Sequence, residues 1–506
     1  METLKTLLDS TDHTSDSAVN LQVDSAEPEV FIFPMSFAQE RLWFLEQLRP
    51  GISAYNLPIP FRVKGALDDA VLEKALQKIV SRHEILRTTF DQIGLDLVQL
   101  VAPTFQFKLR KHDLKSLAET EREKKVDQLV HEEVRHSFDL KSGPLFRGTL
   151  YTVSDEDHVL LLNMHHIVAD GWSFSVILRE LRDCYESYSQ GREPELKELP
   201  VQYGDYAQWQ NEFSSTDEFK SRLHLWKNKL ADAPQHFDLP IAKPRPAHPS
   251  YDGAVDTLLL PDALTRALKK LGQVQGSTLF LTTMAAFKTL LFRYTNEADV
   301  VLGSPVANRT KLEIEDLVGC FVNTAIFRTQ LSGELTFTEV LSRVKEGALE
   351  SYEYQDVPFE KIVEELQPER ALDRNPLVQI LFMCHKANIQ PIVLPDISFN
   401  PFLVDRKGAQ FDMTFYLLER DEGLRVGCEY RRDLFEQTDI RRFLEHYQTL
   451  LYGIVSNPDT PICELPLLRE EERHQVLAAW NDTAVDYPKD KAIHQLFEDQ
   501  VRRTPD

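Results

Sequence analysis

The sequence predicts an α+β fold made of two lobes. Helix and strand signals occur in both halves of the chain, but they do not alternate regularly, as they would in a parallel β-α-β protein. Five prolines lie between Pro234 and Pro249, so this stretch forms neither a regular helix nor an inner strand, and we interpret it as a surface crossover between the lobes. At about 100–200 residues per domain, 506 residues are enough for such a pair.

In the first half of the chain, order is expected to begin at Phe31–Leu48, and a helix and a strand follow. Residues 67–90 are predicted as this pair, with Asp68 and Asp69 placed to cap the helix and the strand lying over Glu84–Phe90. Residues 126–138 repeat the amphipathic helical pattern.

A strand, a turn and a helix follow. The apolar run His158–Met164 has the length of a strand, and apolar residues recur every three or four positions after Gly171, with Ser173 as the predicted helix cap. The segment His165–Gly171 therefore lies at a strand-to-helix turn, where loops held by rigid elements often carry function.

The second half gives a long helical pattern over Ser277–Tyr294 and three further strands. These strands are predicted at Asp299–Leu302, Phe321–Leu331 and Val378–Met383.

The two ends of the chain differ from its body. Residues 1–30 contain seven acidic residues and one lysine, which predicts a disordered leader; the alternative is a short helix that docks on another polypeptide. Residues 466–506 give a charged helix, a polar stretch and the beginning of a second helix.

Composition and charge exclude several classes of function. The formal net charge is −23, from 57 Lys and Arg against 80 Asp and Glu. Binding to nucleic acids and to anionic membranes depends on clustered basic residues, so neither is an expected partner of this acidic chain. The five cysteines are scattered without a C-x-x-C pair, which argues against disulfides and structural zinc and favours a cytoplasmic location. No apolar stretch reaches the ~20 residues that cross a bilayer.

The adjacent histidines His165 and His166 have three interpretations. A shared metal ion is disfavoured because successive strand residues point to opposite faces, and we predict no metal site. One or both can be buried core histidines. Alternatively, one imidazole faces a cavity and handles a proton, which suits its ordinary pKa of about 6.5, while the other packs inward. Periodicity alone does not separate the last two interpretations.

Seven segments resemble, in order, the motifs of the condensation domains of nonribosomal peptide synthetases. The resemblance covers roughly residues 32–465, with Tyr354 where the family usually has a histidine before the sixth motif. The segments are Ser36–Trp43, Arg82–Thr88, His165–Gly171 (HHIVADG), Tyr203–Trp209, Gly319–Thr324, Gln355–Glu360 and Arg374–Leu377.

This resemblance implies a fold, partners and a reaction. The fold is two chloramphenicol-acetyltransferase-like lobes in a V-shaped pseudo-dimer with a central tunnel; we assign residues 31–190 and 191–465 to the lobes. An upstream donor carrier protein and a downstream acceptor carrier protein bring thioesters on phosphopantetheine arms, and no cofactor is bound by the domain itself. The acceptor amine attacks the donor thioester and forms a peptide bond. The alternative is a non-catalytic domain of this type that only recruits carriers.

The resemblance also implies roles for site residues. His166 is the catalytic histidine, which positions or deprotonates the amine, and His165 supports it. Gly171 offers its amide and leaves room for the pantetheine arm; the alternative is that it is simply a turn glycine. Asp170 is expected to pair with Arg309 of the other lobe in a structural role.

Three further residues are candidates for lining the tunnel: Asn323, Ser173 and Trp172. Asn323 has a strand-register role as its alternative, and Trp172 has core or lobe packing as its alternative. The pairs Arg431-Arg432 and Arg441-Arg442 are candidates for docking a carrier.

Two finer features complete the resemblance. The retained histidines and Trp172-Ser173 after Gly171 favour condensation over heterocyclisation or epimerisation. Phe44–Leu48 with Tyr55-Asn56 resembles the subtype that joins two L-residues; the alternative is a donor that is acyl or polyketide-derived. Residues 466–506 resemble the linker and beginning of an adenylation domain.

Overall fold

The structure is a computed structural model, and it describes residues 30–505 except 241–242, 249, 369–372, 387–390, 403, 405, 421–422, 485 and 487. The predicted leader thus lies outside the described residues, apart from Val30. The described residues form two six-stranded sheets and one three-stranded sheet, with helices on both large sheets. The predicted α+β fold with two lobes is confirmed. Within the part of the chain described, no helix is long and apolar enough to span a membrane.

The strands up to the histidine turn belong to the first half of the chain. They are β1 Phe31–Pro34, β2 Asn56–Gly65, β3 Thr88–Ile93, β4 Asp96–Val101, β5 Arg110–Asp113, β6 Phe146–Ser154 and β7 Asp157–His165. The later strands are β8 Gly253–Leu260, β9 Asp299–Val306, β10 Asn323–Gln330, β11 Ile380–Lys386, β12 Ile392–Leu394, β13 Ile397–Pro401, β14 Met413–Arg420 and β15 Gly423–Arg431.

The helices are likewise numbered along the chain. Those before the crossover are α1 Phe37–Leu48, α2 Asp69–Arg82, α3 Glu119–Arg135, α4 Gly171–Ser189, α5 Tyr203–Ser214 and α6 Asp217–Leu230. Those after it are α7 Asp262–Val274, α8 Leu279–Thr295, α9 Phe337–Glu353, α10 Phe359–Leu366, α11 Gln437–Ser456, α12 Glu470–Leu477 and α13 Ile493–Arg503.

The N-terminal lobe is built on the sheet β12-β13-β2-β7-β6-β5. Strand β7 is apolar and almost entirely buried between two helical layers. Leu160, Leu162 and Met164 pack in the core cluster that contains α2 and α4, whereas Val159 and Leu161 pack against α3. Because side chains alternate along a strand, His165 falls on the α3 side of the sheet.

The C-terminal lobe is built on the sheet β10-β9-β11-β14-β15-β8. Its larger core lies between this sheet and α7, α8, α9 and α11, where Phe287 stacks on Phe415 with ring centroids 4.1 Å apart. Helices α6 and α10 cover the other face through a second cluster that includes Trp226 and Ile362. Helix α8 begins at the cap Thr278 and confirms the prediction over Ser277–Tyr294.

The boundary predicted between the lobes at residues 190 and 191 stays a prediction, and several contacts of the fold cross it. Strands β12 and β13 belong by sequence to the C-terminal lobe, but β13 pairs antiparallel with β2 in the N-terminal sheet. Tyr203 of α5, together with Leu317 and Phe321, also packs in the N-terminal core. The lobes therefore exchange segments, which a boundary drawn at one position cannot represent.

The strand predicted over Glu84–Phe90 is wrong in its first half. Glu84–Arg87 forms a 3₁₀ turn, and β3 runs over Thr88–Ile93. Burial explains the error, because Ile85 and Leu86 are both core residues and their spacing imitates an inner strand.

Candidate active site

The histidine segment lies where the buried strand β7 meets helix α4. His165 is the last residue of β7, and the backbone amide of His166 donates to the carbonyl of Tyr55 at 2.9 Å. Helix α4 then begins at Gly171 with Asp170 as its N-cap. The predicted strand-to-helix turn is present, and it fixes the backbone of both histidines.

His165 is a buried histidine that supports the turn. It is 2% exposed, and its Nδ1 accepts a hydrogen bond from the amide of Ile167 at 3.2 Å. The ring lies against Phe138, with centroids 6.0 Å apart. Burial lowers its pKa to about 3, and the neighbouring His166 contributes in the same direction. His165 is therefore neutral at physiological pH and has no open side for a substrate.

His166 differs from its neighbour because it is only partly buried. Its Nδ1 lies 3.7 Å from Sγ of Cys320. Burial lowers the pKa of the imidazole; a hydrogen bond to its own backbone and the charge of Asp170 oppose this, while the charges of Arg406 and Arg41 lower it further. The ring is thus held in its neutral form, which can accept a proton.

Asp170 joins the histidine turn to the segment 319–321. Its carboxylate accepts hydrogen bonds from the Ser173 amide at 2.8 Å and from the Phe321 amide at 3.0 Å. The predicted pair with Arg309 is present: Nη2 lies 3.2 Å from Oδ1, and the two side chains are 1% and 2% exposed. Asp170 therefore caps α4, pairs with a buried cation and holds a second segment at once.

Arg309 is itself anchored on several sides. Its Nη1 donates to the carbonyls of Ile314 and Leu317 at 2.6 and 2.8 Å, and the guanidinium carbon lies 4.0 Å from the ring centroid of Phe321. Burial lowers the pKa of Arg309, and Asp170 opposes this shift. Arg309 therefore fixes the loop that connects β9 to the segment 319–321.

Ser173 does not cap helix α4, contrary to the prediction. Asp170 is the cap, and Ser173 is the third helical residue that completes the capping box by accepting from the Asp170 amide. Its hydroxyl is fully buried, 2.7 Å from Asp170 Oδ1 and 3.0 Å from the carbonyl of Gly319. The structure places this hydroxyl between two protein segments, away from open space.

Gly171 and Trp172 lie at the exposed beginning of α4. A Cβ built on Gly171 would meet no atom within 4 Å, so open space surrounds this position. Trp172 is 45% exposed, and its Nε1 donates to the carbonyl of Glu315 at 2.9 Å. Trp172 is therefore partly a surface residue that contacts the loop carrying Arg309.

Asn323 uses its side chain to hold the sixth motif. Its Nδ2 donates to the carbonyls of Gln355 and Val357 at 2.8 and 2.7 Å. Its Oδ1 accepts from the amides of Phe359 and Thr324. The residue is 7% exposed, so the structure brings it to the junction of β10 and α10 and gives its amide group four protein partners.

Sequence reasoning missed three residues that complete the site. Cys320 touches His166 and lies inside the motif GCFVNT, which by itself indicates only the family. Tyr203 donates from its hydroxyl to the carbonyl of Cys320 at 2.7 Å, and it opens the motif YGDYAQW. Arg41 of α1 bonds Glu360 of α10 at 3.3 Å. Their positions inside motifs were the available signal, because each of the three contacts a residue of another motif in the fold.

One of the predicted carrier-docking arginines requires a correction. Arg431 is 3% exposed and forms ion pairs with Asp412 at 3.1 Å and Asp433 at 2.8 Å, so it cannot present a charge to a partner. Arg441 is 46% exposed and pairs with Asp256 at 3.2 Å, and Arg442 is 56% exposed and pairs with Asp439 at 2.8 Å. Arg432 is exposed as well, so these three arginines remain candidates. Among the residues that the structure describes, no cluster of His, Cys, Asp or Glu is arranged to hold a metal ion.

Comparisons with known proteins identify a family for this chain. A family model described as a condensation domain matches residues 31–477. One of the linear gramicidin synthase proteins of Brevibacillus parabrevis is 43% identical over 510 residues, which is 98% of this chain and 7% of that protein. Chondramide synthase of Chondromyces crocatus is 40% identical over 479 residues, or 95% of this chain and 12% of that protein. The chain therefore spans a small fraction of the length of these relatives.

Solved structures give the same result for the fold. The X-domain from teicoplanin biosynthesis matches with a TM-score of 0.79 at 28% identity, covering 88% of this chain and 99% of that one. A four-domain nonribosomal peptide synthetase bound to AMP and glycine matches with a TM-score of 0.84 at 24% identity, covering 95% of this chain and 37% of that one. Motifs, site and matches lead to one conclusion: the chain belongs to the condensation-domain family of nonribosomal peptide synthetases.

Proposed function

We propose that this chain forms the peptide bond between two carrier-bound substrates, with His166 as the residue that meets the attacking amine. The observation that carries the proposal is the contrast between the two histidines. His165 is closed off by Ile167 and Phe138, whereas His166 is partly exposed. Its backbone amide bonds the carbonyl of Tyr55, and its Nδ1 lies 3.7 Å from Sγ of Cys320. One imidazole is thus structural, and the other is available to a substrate.

The chemistry requires little beyond positioning and a proton acceptor. The amine nitrogen attacks the carbonyl carbon of the donor thioester, a C–N bond forms, and the C–S bond to the donor's pantetheine arm breaks. The amine loses one proton and the departing sulfur takes one up, and His166 is the group that can carry it. An α-amino group has a pKa of about 7.7–8.0, so much of it is neutral and nucleophilic near physiological pH.

The electrostatics of the site support this role for His166. Burial and the two nearby guanidinium groups, Arg406 and Arg41, lower the pKa of His166, so the imidazole begins the reaction neutral. General acid–base catalysis by a positioned group typically contributes about 10²–10⁴-fold to a rate. Orientation of the two reactants contributes more, up to about 7–11 kcal/mol of the barrier.

The partners follow from the chemistry of the substrates. We infer that an upstream carrier presents the donor thioester and a downstream carrier presents the acceptor amine, each on a phosphopantetheine arm. The open space around Gly171 supports its assignment as the place where an arm passes. The subtype that joins two L-residues rests on the resemblance of Phe44–Leu48 and Tyr55-Asn56.

We propose that residues 466–506 lead into an adenylation domain. A location in the cytoplasm is a separate proposal. Helix α13 supports the first proposal: Ile493, Phe497 and Val501, spaced four residues apart, are 85%, 70% and 46% exposed. A helix with such an apolar face is suited to packing against further protein. Limited proteolysis of this chain alone and of the chain joined to an adenylation domain after residue 506 tests this. Protection of α13 is expected only when the adenylation domain is present.

The direct test of the function uses loaded carriers. Donor and acceptor carrier proteins bearing aminoacyl-pantetheine groups are mixed with the chain, and mass spectrometry follows each carrier. We expect the mass of the acceptor carrier to increase by that of the transferred donor acyl group, which an amide bond then joins to the acceptor amine. Carrier binding without any transfer, across a panel of donor and acceptor residues, would instead indicate a domain that only recruits carriers.

A further inference from the structure

We infer that Cys320 is a positioning residue for the reaction: its sulfur accepts a hydrogen bond from Nδ1–H of His166 and so holds Nε2 as the proton acceptor that faces the amine. This inference rests on the proposed role of His166. It starts from the contact of 3.7 Å between Sγ and Nδ1.

The direction of this hydrogen bond follows from the role proposed for His166. If Nε2 is to take the proton of the amine, the neutral ring must carry its one proton on Nδ1, and the sulfur 3.7 Å from Nδ1 must then be the acceptor. The lone pair of the neutral ring is then on Nε2.

Cys320 has the protonation state and burial that this role needs. The residue is 2% exposed, and burial raises the pKa of its thiol well above the ordinary value. The side chain therefore stays a neutral thiol rather than a thiolate. A neutral sulfur beside Nδ1 fixes the tautomer without pulling the proton fully from the ring, so the imidazole remains a moderate base.

The backbone on both sides of Cys320 is fixed by the hydrogen bonds of the site. The Gly319 amide donates to the Ser173 hydroxyl at 3.1 Å, and the Phe321 amide donates to Asp170 at 3.0 Å. The carbonyl of Cys320 itself accepts from the Tyr203 hydroxyl at 2.7 Å, which lies 2.8 Å from the hydroxyl of Ser36. These bonds give Asp170 and Ser173 a purpose beyond stability, because they place the sulfur against the catalytic ring.

Substitutions of Cys320 distinguish a hydrogen-bond acceptor from a side chain that only fills volume. Cys320→Ser keeps an acceptor, whereas Cys320→Ala and Cys320→Val remove it, and valine also keeps the bulk. Cys184→Ala is the matched control, since Cys184 is equally buried in α4 and no hydrogen bond joins it to His166. Thermal unfolding of each variant shows which of them fold, and His166→Ala gives the rate without the catalytic ring.

Single-turnover peptide transfer between loaded carriers is the measurement. We expect Cys320→Ala and Cys320→Val to lower the maximal rate about three- to tenfold, the value of one weak hydrogen bond, with KM for the acceptor carrier unchanged. Cys320→Ser should fall between them and the wild-type protein, and Cys184→Ala should match the wild type. Rates that follow bulk, with valine like cysteine and serine like alanine, would overturn the inference. A His166→Ala protein as fast as wild type would instead remove the proposed role of His166.

Discussion

Replacing Asp170 by alanine removes the anion on which the site is assembled. The change leaves the Arg309 guanidinium, 1% exposed, without its carboxylate, and it leaves the amides of Ser173 and Phe321 without their acceptor. It also removes the N-cap of α4. Breaking one half of a buried, hydrogen-bonded ion pair typically costs about 3–5 kcal/mol, and we expect Asp170→Ala to lower the free energy of unfolding by that amount.

Urea denaturation followed by tryptophan fluorescence measures this loss. Trp172 lies beside the loop that Arg309 anchors, so its emission reports on the region. Asp155→Ala is the control, because Asp155 pairs with Lys115 at 2.9 Å on the surface of the same lobe, and we expect no measurable change in the unfolding midpoint.

A second substitution tests whether the effect comes from the pair. Arg309→Met should cost less in the Asp170→Ala protein than in the wild type, because the partner charge is already gone. If Asp170→Ala abolished peptide transfer while the unfolding midpoint stayed at the wild-type value, the structural role of Asp170 would be refuted. Equal costs of Arg309→Met in both backgrounds would show that the two residues do not interact.

Three further predictions follow from individual contacts. Gly319→Ala should destabilise the protein by about 1–3 kcal/mol, because its Cβ would lie 2.0 Å from Cδ2 of Tyr203. Gly171→Ala should unfold like the wild type and slow only peptide transfer, because open space surrounds its Cβ. Equal unfolding midpoints for the two variants would contradict this. Asn323→Leu should lower the free energy of unfolding by about 2–4 kcal/mol, since it orphans buried backbone groups of the sixth motif, and a midpoint unchanged in urea would exclude that role. The folded-state pKa of His165 is about 3. The unfolded chain therefore binds more protons than the folded protein below about pH 6.5. The free energy of unfolding of the wild type should fall by about 2 kcal/mol between pH 6.5 and pH 5, and this fall should be absent in His165→Asn.

Local pattern was sufficient to predict the centre of the site. The apolar run of β7 and the helical spacing after Gly171 place His165 and His166 at a turn, and both signals depend only on residues near in sequence. The ion pair of Asp170 with Arg309 joins residues far apart in the chain, and only the resemblance to a family supplied it. Local sequence patterns carry no information about such a distant contact.

The features that were missed also depend on distant contacts. Strand β13 pairs with β2 across the two lobes, although nothing near Ile397–Pro401 indicates which sheet will accept it. The local sequence predicts that Arg431 is half of an exposed basic pair, but its ion pairs with Asp412 and Asp433 hold it in the interior. Cys320 had no signal of its own, because a single cysteine in an apolar motif is most simply a core residue.

The rate of peptide transfer by His166→Ala tests the central claim most directly. Donor and acceptor carriers are loaded chemically, and single-turnover transfer is measured for the wild type, His166→Ala and His165→Asn at the same pH, with folding verified for each. If His166 positions the amine and takes its proton, its loss should slow transfer by about 10²–10⁴-fold, while His165→Asn should have a much smaller effect. Transfer by His166→Ala at close to the wild-type rate would contradict the assignment of this histidine.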